Sequence, residues 1–204
     1  MKIIYKGLFK DNSQFPIGVL PENAVKINAP ESIHKQMLIS LITIIPAGLL
    51  VLPFIYGSYL LHGDLSSVGF RFLGMVWYFI ICIPHELLHA VCFGKNAEIL
   101  LFASPPAWMI HCVKPLSKSR YILMCILPNI VFGWIPLFIW MLLPYYEGIS
   151  HILFTASVFA IALGGGDYMN IFYTFKQQPK GSLQQLSGSM SYWFMPENRK
   201  ASNY

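Results

Sequence analysis

The sequence predicts an all-α membrane protein with four transmembrane helices, and three observations carry that reading. Of its 204 residues, 55% are hydrophobic and 11% charged, against about 25% charged in an ordinary soluble domain. The apolar residues gather in four long runs, near 38–61, 68–93, 121–143 and 151–175. Each reaches the ~20 residues a helix needs to cross the hydrocarbon core of a bilayer. The basic residues, finally, are partitioned between the connections. Five lie in the N-terminal arm (Lys2, Lys6, Lys10, Lys26, Lys35), four in 94–120 (Lys95, Lys114, Lys118, Arg120) and four in the tail (Lys176, Lys180, Arg199, Lys200). The other two connections have none, and Arg71 stands at the start of the second run. By the positive-inside rule both termini are expected in the cytoplasm, with the chain multi-pass in the cell membrane. The net charge of +5 needs no more than this partition, so a nucleic-acid partner has no support.

Taken in order, residues 1–36 read as a small cytoplasmic or interfacial arm with short β-like stretches at Lys2–Phe9 and Ala24–Ile27. No short apolar segment with a small-residue cleavage site follows the start, so the first run is expected to be a span. Pro30-Glu31-Ser32 offers its helix start, and Pro46 and Pro53 are expected to kink it without ending it. Residues 37–175 form the expected four-helix membrane domain. Within it, 94–120 is odder than a plain loop: Ile99–Ala103 and Ala107–Val113 are apolar and flank Ser104-Pro105-Pro106. A re-entrant or interface-lying hairpin on the cytoplasmic side is expected there. Residues 176–204 read as a polar cytoplasmic tail, interrupted by Tyr192-Trp193-Phe194. The four cysteines, Cys82, Cys92, Cys112 and Cys125, are expected to be small packing residues and not disulfide partners.

Inside the four runs, away from their ends, the only acidic or histidine side chains are His85, Glu86, His89 and Asp167. An acidic group at mid-span costs about 2.5–3.5 kcal/mol on insertion scales, so each is a functional candidate. Three of them form His85-Glu86-Leu87-Leu88-His89. Residues i and i+4 share a helix face about 6 Å apart, so two imidazoles can hold one tetrahedral Zn2+, while Glu86 beside them polarises water as a catalytic base. The bland alternative is a hydrogen-bonded polar cluster that joins helices.

A catalytic zinc takes three protein ligands and keeps one position for water. Asp167 is the best candidate for the third. At 1.5 Å per residue the midpoint of His85 and His89 lies ~10 Å from the inner end of its span, and Asp167 ~13 Å from the inner end of its own. Asp167 also continues the stripe of Ala156, Ala160 and Gly164, which permits close helix approach. Gly164-Gly165-Gly166 loosens the helix there or simply packs tightly. Glu98 and His111 compete as donors. Asn129 follows Pro128, which leaves the carbonyl of Met124 without its helical donor; Asn129 could orient substrate, stabilise an oxyanion or make a plain interhelical hydrogen bond. Asn170 could support the Asp167 carboxylate.

The run His85-Glu86-Leu87-Leu88-His89-Ala90 in a span, with Leu127-Pro128 in the third and Gly165-Gly166-Asp167 in the last, resembles the small bacterial membrane proteins described as putative zincin peptidases. More distantly it looks like the core of the site-2 protease class. The resemblance covers roughly 70–175. It implies His85, His89 and Asp167 as zinc ligands, Glu86 as general base, and a membrane protein or peptide as substrate cut in or near the membrane. Asp167 is followed by Tyr168-Met169-Asn170, unlike the usual site-2 protease motif. Two other classes fit the same residues: a non-catalytic zinc-containing membrane binding protein, and a metal-ion transporter, the latter disfavoured by the absence of an inverted repeat.

Overall fold

The computed structural model describes residues 1–30, 33–105 and 107–196. The expected helix start at Glu31-Ser32, Pro106 of the hairpin turn, and Arg199 and Lys200 of the tail fall outside these residues. The chain divides into two compact units, one comprising Met1–Ala29, Glu86–Met124 and Ile171–Tyr204, the other Pro30–His85 and Cys125–Asn170.

The second unit is helical. Its segments come from α1 (Ile33–Leu49), α2 (Leu52–His62), α3 (Phe72–Val91), α4 (Lys118–Asn129), α5 (Ile135–Leu142), α6 (Ile149–Leu163) and α7 (Gly165–Gln177). The first expected span is the pair α1 and α2. Pro46 is absorbed inside α1, while Pro53 sits in the first turn of α2, where its missing N–H costs nothing. The third runs from α4 into α5 through a π-turn at Ile130–Trp134. The fourth is broken, with α6 and α7 bent by 42° at Gly164. Three helical stretches, His34–His62, Phe72–Val91 and Lys118–Leu142, are long and apolar enough to cross a membrane, and the bent pair would make a fourth.

Ala47, Val51, Leu137, Trp140 and Ile161 form the core of this unit, and the Trp140 indole N–H donates to the Ser67 carbonyl at 3.2 Å. Small residues set the helix spacing. A Cβ on Gly74 of α3 would lie 2.6 Å from the Ile152 carbonyl and 2.7 Å from Thr155 Cβ of α6. Many large apolar side chains are exposed, among them Leu41, Ile45, Phe79, Ile80 and Phe138, a surface of the kind that lipid covers.

The first unit corrects the all-α expectation, because it contains two β-sheets. One has the order β1-β3-β4, with β1 (Lys2–Leu8) parallel to β3 (Glu98–Ser104) and β3 antiparallel to β4 (Ala107–His111). The hairpin expected in 94–120 is therefore real, and the β-like stretch at the start of the arm joins it. Gly7, at φ 82°, takes up the register shift between Tyr5 and Leu8, a bulge conformation that favours glycine. Phe9, Phe15, Phe102 and His111 pack together, with Phe15 stacked on the His111 ring at 4.5 Å.

The other sheet has the order β2-β7-β6-β5, from β2 (Val25–Lys26), β5 (Leu116–Ser117), β6 (Leu183–Ser187) and β7 (Met190–Phe194). Within the segment read as a polar tail, residues 183–194 thus form an ordered hairpin. Gln184 is buried and paired: Thr174 Oγ1 donates to Gln184 Oε1 at 3.1 Å, and Gln184 Nε2 to Ser191 Oγ at 2.7 Å. All four cysteines are buried, and none is joined in a disulfide.

Candidate metal centre

The site is built on α3. Its 3.6-residue turn sets His85 and His89 on one face with Glu86 beside them. Asp167 comes from the first turn of α7, where the positive end of the helix dipole favours a carboxylate. The break at Gly164 is what makes Asp167 an N-terminal residue, since an unbroken fourth helix would have left it at mid-helix.

His85 Nε2 lies 3.5 Å from Asp167 Oδ2, with side-chain exposures of 21% and 14%. One ligand atom from each of His85, His89 and Asp167 lies within 4.8 Å of the others, the one such group of three among the described residues. Two ligands of a tetrahedral zinc with bonds of ~2.0–2.1 Å stand ~3.3 Å apart, so the His85–Asp167 separation fits a shared metal. His89 is buried and its Nδ1–H donates to the Met124 carbonyl at 2.8 Å. That bond puts the ring's lone pair on Nε2, the form a metal ligand needs. The donor set, two imidazoles and a carboxylate, is that of a catalytic zinc site.

Glu86 is half-buried, and its Oε2 accepts the backbone N–H of Ile110 in β4 at 3.1 Å. This bond fixes the carboxylate's rotamer. Asn129 is 1% exposed. Its Nδ2 donates to Asp167 Oδ2 at 3.1 Å and to the Cys125 carbonyl at 3.5 Å, while its Oδ1 accepts the Tyr168 hydroxyl at 3.3 Å. A Cβ on Gly164 would overlap the Asn129 amide.

The competing donors lie elsewhere. Glu98 pairs with Lys2 at 3.9 Å on an exposed part of β3. His111 is buried; its Nε2–H donates to the Gly188 carbonyl at 2.8 Å, and burial holds its pKa below the ordinary value against the opposing effect of that bond. Asn170 is exposed. His62 and His151 bond the carbonyls of Met141 and Ser66, and His34 is exposed. Sequence reasoning missed three partners: Ile110 N–H on Glu86, Met124 O on His89, and Tyr168 on Asn129. Only the second had a visible signal, the proline four residues after Met124.

A family model described as "Putative zincin peptidase" matches residues 78–183, just over half of the chain. No curated protein and no solved structure shows a significant match.

Proposed function

The chain belongs to the family described as "Putative zincin peptidase", and on that premise we propose that it is a zinc-dependent, membrane-embedded peptidase that hydrolyses peptide bonds in or near the membrane, close to its cytoplasmic face. The observation that carries the reading is the approach of His85 Nε2 to Asp167 Oδ2 at 3.5 Å, with His89 one turn along α3. These three residues would hold the metal. Bound there, zinc supplies a Lewis acid that polarises the scissile carbonyl and lowers the pKa of water towards ~7.

The remaining steps fall to the chain. Glu86 takes a proton from the attacking water and delivers it to the leaving amine. Its position is set by the Ile110 N–H, which ties the base to β4. That strand ends the sheet order β1-β3-β4, so an extended substrate segment added along this edge would pass beside Glu86. A membrane-spanning substrate must unwind locally to present such a segment.

The test is metal content and chelation. One zinc per purified chain is expected, lost in His85→Ala and His89→Ala and weakened in Asp167→Ala. Cleavage of a membrane-inserted substrate should stop on chelation and return with zinc. Full zinc occupancy in Asp167→Ala with Glu98→Ala or His111→Ala emptying the site would refute the ligand set.

A further inference from the structure

Two adjacent residues of the third helical stretch, Pro128 and Asn129, bear on two of the candidate ligands, Pro128 through the Met124 carbonyl that His89 bonds and Asn129 through its own amide on Asp167. Both are less than 2% exposed, yet neither packs as an ordinary core residue. Pro128 stands inside α4. It has no N–H, so the carbonyl of Met124, four residues earlier, lacks the donor that a regular helix supplies. A part-buried carbonyl left so forgoes a hydrogen bond, and the Nδ1–H of His89 fills the place at 2.8 Å.

Asn129 uses its side chain in the same way. Its amide N–H groups point at Asp167 Oδ2 and the Cys125 carbonyl, and the Tyr168 hydroxyl donates to its Oδ1. Because the hydroxyl occupies the oxygen end, the nitrogen end is the one turned to the carboxylate. Room for this is made by Gly164, where any Cβ would overlap the Asn129 amide. The helix then widens into the π-turn at Ile130–Trp134, a distortion frequent at functional sites.

We infer that Pro128 and Asn129 are a paired positioning device for the metal centre: Pro128 frees the main-chain acceptor that fixes the tautomer and angle of His89, and Asn129 fixes the Asp167 carboxylate. The inference rests on the zinc reading above and extends it to residues that touch neither metal nor substrate. An unsupported imidazole rotates about its side-chain bonds and exchanges tautomers, and an unsupported carboxylate turns away from His85. Partners of this kind alter metal affinity by about 10–100-fold.

The experiment is zinc affinity of the full chain in lipid, measured by competition with a chromogenic chelator. Pro128→Ala restores an N–H that competes for the Met124 carbonyl, and Asn129→Ala removes the donor to Asp167. Each is expected to weaken zinc by about 10–100-fold. In an Asp167→Ala background Asn129→Ala should have no further effect, whereas Pro128→Ala should keep its full effect, a pattern that general loss of packing would not produce. Ring nitrogen NMR of the metal-free wild type gives a second reading that needs no variant: His89 should carry its proton on Nδ1. Unchanged affinity in both single variants, an equal effect of Asn129→Ala in the Asp167→Ala background, or His89 protonated on Nε2 alone would overturn the inference. If the wild type bound no zinc, the peptidase reading would fall first and this inference with it.

Discussion

At the scale of single residues, the ligand candidates were readable because charge inside an apolar run has few innocent explanations. His85, Glu86 and His89 stood out by spacing, and Asp167 by depth and face. What holds them is less readable, since Ile110 N–H and Met124 O are main-chain groups that any residue carries, and only Met124 O is marked in the sequence, by Pro128. His111 shows the same limit. As a residue type it was a plausible metal donor, and only its burial between Phe15 and the Gly188 carbonyl reveals a structural role. Burial lowers its pKa from 6.5, so the unfolded chain takes up its proton at higher pH than the folded one. The stability it allows is complete above about pH 6.5 and is lost as pH falls towards the lowered folded value. The protection of β6 and β7 against hydrogen exchange, taken relative to the intrinsic rate at each pH, should therefore fall on acidification below that point, and His111→Phe should flatten the dependence. An unchanged profile in the variant would show that other groups set it.

At the scale of elements, periodicity revealed the helical stretches, β1, β2 and the β3–β4 hairpin, and it misled at two places. The fourth run reads as one span, loosened or only tightly packed at Gly164-Gly165-Gly166, because its apolar character is continuous across the break. Three consecutive glycines at 164–166 were the signal that it bends, and Gly164 is where α6 ends and the 42° change of direction occurs. The sequence reading of the tail is only that it is polar apart from Tyr192-Trp193-Phe194, with no strand expected in it. In three dimensions Gln184 bridges Thr174 and Ser191, and Gly188, at φ 58°, closes the hairpin. Helix packing gives a direct check on this level. Gly74 meets the α6 backbone so closely that Gly74→Leu must push α3 from α6, and overpacking of this kind costs about 1–3 kcal/mol. The thermal midpoint in detergent should fall by several degrees, and an unaltered midpoint would mean that the two helices are not in contact.

At the scale of the whole molecule, composition and the helical stretches are those of a membrane protein, and the partition of charge carries the proposal that its basic connections share one side. Thirteen of fourteen Lys and Arg residues lie in the arm, the 94–120 connection and the tail. Reporters fused after Lys10, within 104–118 and after Lys180 should report the cytoplasm, and reporters near Asp64 and Glu147 the exterior; an exterior signal from 104–118 would place the metal centre at the opposite face. The central claim, that this centre hydrolyses peptide bonds with Glu86 as base, is tested most directly by one comparison. Wild type and Glu86→Gln are placed in the same lipid with a membrane-inserted substrate, and cleavage and zinc content are measured for both. Gln keeps the size of the side chain and loses the basic oxygen, so zinc content should be equal while the cleavage rate falls by at least about 10²–10⁴-fold. Equal cleavage at equal zinc content would contradict the account.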